Sequence, residues 1–430
     1  MLILPRQTFL CSSHVSKAWR EIVHDTPTLW TNVCIHNSFS HPEMLQQILH
    51  YSKNCPLTAC VVVGSVILGS HFNNPVDLYI KELFCHSDRI RSFRPLVAFP
   101  ATLWEENVPT PHFPRLEELR VMMHIPEASP ARLYNLFNSP QLQKVTWFFD
   151  QYPEFMLRTG AQIKELTIPN IAHHPVEKIT ALLRACPNLT YLDALSKFRT
   201  FPSVPKSLIP LRDLHTFRST ESGLNLCIAP NLRHLTLTII SENYEKAHLL
   251  QLFSRSPRIE YLSLAQWGDM TSDNVFFQIV SLTLCLVTIE ITFRMPDFDV
   301  STLNKVFEML SRVGASTPIL PKLQHLTLNV LHIVRDDEPP CVYDAEMLLR
   351  MLESRSIHAH ATTLNGTPTV TALKSFTVKH DEYRGVQLHE FTPSWAASAS
   401  QRLEVLKEHG LVLEGNIFTP FLSGRRAPGC

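Results

Sequence analysis

A short phrase recurs along the chain and constrains its fold more than any other feature. Its form is apolar-x-x-apolar-x-apolar, often preceded by proline, as in "PNLRHLTL" from Pro230 and "PKLQHLTL" from Pro321. Ten copies align on their first apolar residue, at Leu116, Leu142, Ile163, Leu189, Leu211, Leu232, Ile259, Leu286, Leu323 and Leu373. Successive copies lie 26, 21, 26, 22, 21, 27, 27, 37 and 50 residues apart. Most of these spacings are typical of leucine-rich repeats of roughly 20–29 residues.

Helical patterns lie between the copies. In "VEKITALLRACP", Val176, Ile179 and Leu183 share one helical face, and "STLNKVFEMLSRV" has the same period. A strand, a crossover helix and a second parallel strand form a right-handed unit, and stacked units form a solenoid. The predicted fold class is therefore α/β, a leucine-rich-repeat solenoid (horseshoe) of parallel strands and outer helices over residues 31–430.

Some segments fit this repeat less well. The copy at Leu211 is the weakest, because "PLRDLHTF" has Thr216 where a third apolar residue is expected. Insertions around 292–320 and 331–371 interrupt the regular spacing of the repeat. Long insertions of this kind either carry function or are lineage-specific additions, and we favour the second interpretation. Upstream, "TPTLWTNVCIH" and "CPLTACVVV" predict strands on either side of a helix at 42–53, and "DRIRSFRPL" predicts another strand.

The x positions of the phrase are predicted to lie on the concave face of the solenoid, because side chains alternate along a strand. These positions hold mixed polar residues and two tyrosines. They form either an ordinary solvated sheet face or a surface for a protein partner, since solenoids offer long concave faces and aromatic residues anchor interfaces. The candidate partner-binding residues on this face are Arg120, Tyr191, His234, Tyr261 and His325.

The charge balance and the motifs argue against several classes of function. Lys plus Arg and Asp plus Glu both number 39, so the chain lacks the positive excess of a nucleic-acid or membrane-surface binder. "GSVILGSH" approaches a phosphate loop but lacks its lysine. The histidine pairs His173–His174 and His358–His360 have no further metal ligands at suitable spacing. We predict no catalytic residue, no cofactor and no metal; an enzyme would require the insertions to gather histidines and acids.

The cysteines and the apolar segments indicate a compartment. The ten cysteines are scattered without a C-x-x-C pair, which favours buried thiols in a reducing environment. The longest apolar run covers 12 residues, 58–69, whereas a membrane-spanning helix needs about 20. "MLILPRQTFL" is interrupted by Pro5 and Arg6, unlike a signal peptide. The sequence therefore predicts a soluble protein of the cytoplasm and/or nucleus.

The stretch "VSKAWREIVHDTPTLW", from Val15 to Trp30, predicts a short helix followed by a turn. Four apolar residues are spaced to share one helical face: Val15, Trp19, Ile22 and Val23. Asp25 and Pro27 end the helix. Repeat proteins need caps that cover the apolar surface of their end repeats. Residues 1–30 are accordingly predicted to form a helical cap.

The same residues carry a family resemblance. "HVSKAWREIVHDTPTLWTNV" resembles the C-terminal part of an F-box as found in fungal F-box proteins with leucine-rich repeats, and "LQQILHYSKNCPLTACVVV" and "LFCHSDRIRSF" resemble the segments that follow it. The resemblance implies a substrate-recruiting subunit of an SCF-type (Skp–cullin–F-box) ubiquitin ligase. The F-box would dock on a Skp-type adaptor, and the horseshoe would hold an unknown protein target. Val15, Trp19 and Ile22 would belong to the F-box helix core and partly to the adaptor interface.

The resemblance covers only part of the F-box. In the family, a Leu-Pro and two helical segments precede the Val-Ser-x-x-Trp-Arg motif, but here nine residues separate Pro5 from Val15. A truncated chain, a lost exon and a degenerate F-box that no longer binds are the three alternatives. The second interpretation of function is a leucine-rich-repeat scaffold for protein–protein interaction outside any ligase, in which Val15–Trp30 is a structural cap.

Overall fold

The computed structural model describes residues 16–36, 42–62, 75–95, 112–121, 139–148, 159–169, 175–195, 208–220, 223–224, 226–238, 246–267, 275–294, 300–311, 319–331, 344–357, 370–380 and 393–415. The chain divides into two compact units, Met1–Asp193 and Ala194–Cys430. Each unit combines helices with parallel strands, so the chain is an α/β protein, as predicted.

The first unit contains seven described strands that pair in chain order. Its helices are α1 (Lys17–His24), α2 (Pro42–Tyr51), α3 (Pro75–Phe84) and α4 (Val176–Ala185). Its strands are β1 (Asn32–His36), β2 (Leu57–Val62), β3 (Ile90–Pro95), β4 (Glu118–Val121), β5 (Lys144–Trp147), β6 (Glu165–Thr167) and β7 (Tyr191–Ala194). Each pairs in parallel with the next. The strands and the helix predicted upstream of the phrase are therefore confirmed as β1, β2, β3 and α2.

The second unit also combines helices with parallel strands. Its helices are α5 (Lys246–Arg255), α6 (Val275–Leu282), α7 (Val300–Ser311), α8 (Ala345–Ser356) and α9 (Pro393–Glu408). Its strands are β8 (Ile209–Pro210), β9 (Thr216–Thr220), β10 (Cys227–Ile228), β11 (His234–Thr238), β12 (Tyr261–Trp267), β13 (Thr288–Arg294), β14 (His325–Leu331), β15 (Ser375–His380) and β16 (Val412–Glu414). Here β8 and β10 form a separate pair, and the other seven strands form one parallel sheet.

The apolar residues of the phrase form the core. The copy that begins at Leu232 has fully buried side chains at Leu235 and Leu237. The residue before each of them, His234 and Thr236, is not buried. The alternation follows from the two-residue period of a strand, and each buried leucine stabilises the fold by about 1.5–3 kcal/mol. The prediction that the phrase forms a strand with its x residues away from the core is confirmed for this copy.

Hydrogen bonds between successive copies fix the register just before each strand. The amides of Lys164 and Glu165 both donate to the carbonyl of Gln143, at 2.8 and 3.0 Å. Side chains add a second set of hydrogen bonds to the preceding copy. Asn188 Nδ2 donates to the Ala161 carbonyl at 2.6 Å, and Ser256 Oγ donates to the Ala229 carbonyl at 3.0 Å; each acceptor lies 27 residues earlier in the chain. These polar side chains satisfy backbone carbonyls that the turn into the strand would otherwise leave unpaired.

The copy assigned to Leu211 begins three residues later than predicted. In the pairing of β9 with β11, Phe217 lies opposite Leu235, so Leu214 and not Leu211 is the first apolar residue. Both leucines are buried, and their spacing of three fits the phrase in either frame. Buried Ser219 occupies the last apolar position, and this polar residue concealed the correct frame. Leu211 instead follows β8, and its amide donates to the Ile228 carbonyl at 2.9 Å.

The described cysteines are free thiols, but only two of the seven are buried. Cys186 and Cys227 are buried, and burial raises the pKa of each thiol to about 12. Cys85 is exposed, and four further described cysteines are half-buried. The prediction of buried thiols is therefore correct for Cys186 and Cys227 and wrong for Cys85, which lies just after the end of α3.

A buried guanidinium ties together three segments of the second unit. Arg355 in α8 is only 1% exposed, and it donates to the carbonyls of Leu310 (2.7 Å), Leu320 (3.0 Å) and Ile319. Leu310 lies at the end of α7, where helix carbonyls lack partners within the helix. Leu320 has a φ of 52°, a left-handed conformation that is unfavourable for leucine. Burial lowers the pKa of Arg355 to about 10. Arg355 therefore holds a turn that local preferences would not maintain.

We expect Arg355→Met to reduce the free energy of unfolding by at least about 3 kcal/mol, because two buried carbonyls and one partly buried carbonyl lose their donor. Arg350→Met is the matched control on the same helix, where the side chain is exposed and pairs with Glu346 at 3.0 Å; its expected cost is below about 1 kcal/mol. Urea unfolding followed by circular dichroism measures both. Equal losses would contradict the role assigned to Arg355.

Candidate functional site

The opening helix is anchored through its last turn. Ser16 caps α1 by accepting the Trp19 amide at 3.2 Å. The buried Trp30 indole donates to the Val23 carbonyl at 2.7 Å, and the His24 ring stacks on Tyr51 with centroids 4.2 Å apart. The predicted helix and turn are thus confirmed, and a tryptophan beyond the turn holds the helix in place.

Two apolar side chains of this helix remain exposed. Trp19 is 54% exposed and Ile22 is 55% exposed, whereas Val23 is buried. The prediction that Trp19 and Ile22 pack in a helix core is therefore wrong. The physical reason is that the anchoring contacts hold the last turn of α1, where Val23 points inward, and Trp19 lies one turn before it. Val15, the third candidate, lies outside the described residues.

A groove of about 530 Å³ lies on the polar side of strands in the first unit. Strand register brings its residues together: Glu118 lies opposite Lys144, which lies opposite Glu165, which lies opposite Tyr191. Four cations line the groove, Arg91, Arg94, Arg120 and Lys144. Three carboxylates line it as well, Glu117, Glu118 and Glu165. The charged side chains that line the groove therefore sum to one net positive charge, not counting the Asp193 carboxylate that accepts from Tyr191.

Glu118 accepts hydrogen bonds from three side chains of this groove. Its carboxylate accepts from Arg120 Nε at 2.7 Å, from Arg94 at 3.0 Å and from Ser92 Oγ at 2.9 Å. Burial by itself would raise the pKa of Glu118, but the hydrogen bonds from Arg94, Arg120 and Ser92 outweigh it, so the pKa is lowered. Glu118 therefore stays ionised, and it holds two arginines in place.

The remaining charges of the groove form simple pairs. Lys144 Nζ lies 2.6 Å from Glu165, and Arg91 Nε lies 2.7 Å from Glu117. At the far strand, the Tyr191 hydroxyl donates to Asp193 at 3.3 Å. The structure thus places two of the predicted binding residues, Arg120 and Tyr191, in one groove. The upstream strand that contributes Arg94 was predicted from sequence, but its arginine was not, because that strand lies outside the aligned copies.

The other three candidates lie on the polar side of strands in the second unit. His234 stacks on Tyr261 with ring centroids 5.7 Å apart, and His325 Nδ1 lies 2.8 Å from Ser375 Oγ. The Tyr261 hydroxyl donates to Glu290 at 2.8 Å. The pKa of Tyr261 is raised, chiefly by burial and secondly by the hydrogen bond to Glu290. The x positions of the phrase therefore predicted correctly that these three side chains lie on the polar side of their strands. Their binding of a partner stays a prediction.

One carboxylate and one amide of this second surface were not among the predicted binding residues. Asn329 Nδ2 donates to Glu290 at 2.8 Å and to Thr292 Oγ1 at 3.1 Å. Glu290 thereby accepts bonds from neutral donors on both neighbouring strands. Asn329 lies one residue beyond the last apolar position of its phrase, so the repeat pattern gave no signal for it.

The described segments contain neither a candidate metal-binding cluster nor a candidate membrane-spanning helix. They contain no group of three or more His, Cys, Asp and Glu side chains placed to hold a metal ion. No helix among them combines the length and the apolar character that a membrane crossing requires.

Comparisons with known proteins identify no family. No protein-family profile and no curated protein matches the chain. Among solved structures, the chain is similar to a Bacteroides fragilis protein from a structural-genomics consortium, with 13% sequence identity and a TM-score of 0.34. The match covers 50% of this chain and 64% of that protein, less than two thirds of its length. A likeness at this level carries no argument about activity or partners.

The Glu118 cluster yields a prediction about pH. We expect Glu118→Gln to lower the free energy of unfolding at pH 7 by about 1–2 kcal/mol, because four hydrogen bonds from three side chains lose an ionised acceptor. Since the folded pKa of Glu118 is lowered, its contribution is complete above the pKa of the unfolded carboxyl and is lost as pH falls through the folded pKa. The difference between wild type and variant should therefore shrink with acidification.

Urea unfolding at pH 7 and at successively lower pH measures this difference. Glu165→Gln is the matched control, because Glu165 belongs to the more exposed pair with Lys144 and should cost less than about 1 kcal/mol. A Glu118→Gln effect that is the same at every pH would contradict the assigned role of its carboxylate.

Proposed function

We propose that the chain is a substrate-recruiting subunit of an SCF-type ubiquitin ligase, an F-box protein with leucine-rich repeats. The supporting sequence features are the motif from Val15 to Trp30 and the repeated phrase. The observation that carries the proposal is the exposure of Trp19 and Ile22 on a helix that is otherwise firmly anchored. Exposed tryptophan and isoleucine side chains on a rigid helix suit an apolar protein interface.

In this proposal the exposed side of α1 and the polar strand surfaces bind different partners. The helix α1 docks on a Skp-type adaptor, while polar strand surfaces of the leucine-rich-repeat horseshoe hold a protein target. The chain performs no covalent chemistry and raises the effective concentration of its target near the ligase. We further propose that it acts in the cytoplasm and/or nucleus, without nucleic acid, membrane or cofactor.

A second candidate is a scaffold that binds a protein through its polar strand surfaces and has no ligase partner. The observation that favours it is the packing of His24, Trp30 and Tyr51, which gives α1 a structural function as a cap. The two candidates differ in one respect: only the first requires an adaptor to bind the exposed side of α1.

The test is co-purification with a Skp-type adaptor. We expect the chain to retain the adaptor, and the double variant Trp19→Ser with Ile22→Ser to weaken binding at least about tenfold, because apolar anchors dominate interface energies. The matched control is Leu284→Ser, which removes an exposed leucine in the second unit.

A chain completed with the first half of an F-box is tested in parallel. Binding by both forms supports the ligase proposal, and binding by the completed form alone assigns the defect to the N-terminal segment. If neither form binds, or if Leu284→Ser weakens binding as much as the double variant does, the ligase proposal is overturned in favour of the scaffold.

A further inference from the structure

We propose that the groove centred on Glu118 in the first unit binds an acidic segment of the protein target, with a carboxylate of that segment seated between Arg94 and Arg120. This inference rests on the proposed function only in calling the occupant a ligase target. The binding chemistry follows from the groove alone.

The charge of the groove favours an anionic occupant. Its four cations outnumber its three carboxylates, and two of the cations share the single carboxylate of Glu118. An incoming carboxylate would complete a set of two arginines and two carboxylates. Because opposite charges attract most strongly where water is partly excluded, this complementarity favours an anionic partner.

The groove's own carboxylates are already paired with cations. Glu118 already accepts from two arginines and a serine, Glu165 pairs with Lys144, and Glu117 pairs with Arg91. A basic ligand would have to displace one of these cations before it gained a partner. The asymmetry lies at Glu118, where two arginines share one carboxylate, so an acidic segment has more to gain in this groove than a basic one.

The two arginines that share Glu118 are placed to donate to a second carboxylate. Their side chains are 36% and 46% exposed, so each keeps a surface toward solvent while Glu118 fixes the other part. Arg94 Nε is buried and has no hydrogen-bond partner among the described residues. A guanidinium carries five N–H donors in a planar arrangement that suits a second carboxylate. Arginines already held in position lose little conformational freedom when they bind a ligand.

Binding of synthetic peptides to the full chain tests the inference. Three fluorescein-labelled ten-residue peptides alternate Ser with Glu, Gln or Lys, and fluorescence anisotropy gives the Kd of each. We expect the Glu peptide to bind at least about fivefold more tightly than the other two, with an affinity that falls as NaCl is raised.

Two substitutions should change this affinity in opposite directions. Arg120→Gln should weaken binding of the Glu peptide about fivefold. Glu118→Gln should strengthen it severalfold, because the loss of the carboxylate that competes for both arginines outweighs the loss of its positioning of them. A gain of affinity cannot result from misfolding. The matched control is Arg233→Gln, which removes a similarly exposed arginine (53%) that also faces a glutamate, in the second unit; it should change the Kd less than about twofold.

Three results would overturn the inference: equal binding of the three peptides, unchanged or weaker binding by Glu118→Gln, or an Arg233→Gln effect as large as that of Arg120→Gln. Its failure can be told apart from failure of the proposed function. Loss of peptide selectivity with intact adaptor binding overturns the groove assignment alone. Selective peptide binding without adaptor binding supports the groove and overturns the ligase proposal.

Discussion

The backbone hydrogen bonds between neighbouring parallel strands are the constraint on which the other features of this chain depend. They set which residues face each other, and a slip of one residue would exchange the buried and polar sides of a strand. In the first unit this register aligns Glu118, Lys144, Glu165 and Tyr191, which lie 21–26 residues apart in sequence. The charged groove is thus a consequence of a repeat whose apolar residues form the core.

The proposed recruiting function follows from a division between buried and exposed positions. Apolar residues of the phrase stabilise each unit, so its x positions are available for polar side chains that do not serve the core. In the groove these side chains hold one another: Glu118 positions Arg94 and Arg120 before any ligand arrives. On α1, the contact between Trp30 and Val23 orients the helix while Trp19 stays exposed. Contacts within the chain therefore hold both surfaces in place before a partner binds, which lowers the entropic cost of binding.

The strands and the polar positions of the phrase could be predicted from the sequence, because a two-residue alternation fixes the side on which each residue lies. Contacts between copies could not be predicted, since they depend on register: the pairing of Arg94 with Glu118 joins two strands whose alignment no local pattern specifies. The frame at Leu211 was wrong because Leu214 fits the same pattern. The exposure of Trp19 was missed because helical periodicity gives a face but not the partner that covers it.

Copies of the phrase pair in register even across the longest gap, the 50 residues between Leu323 and Leu373. The pair Thr327→Cys with Thr377→Cys tests this register, because these residues lie opposite each other on β14 and β15. Adjacent strands are about 4.8 Å apart, within disulfide range, whereas Thr327→Cys with Ser375→Cys is offset by two residues. Under mild oxidation, with peptide mapping, we expect the opposed pair to form its disulfide much faster. Equal rates, or faster closure of the offset pair, would contradict the account.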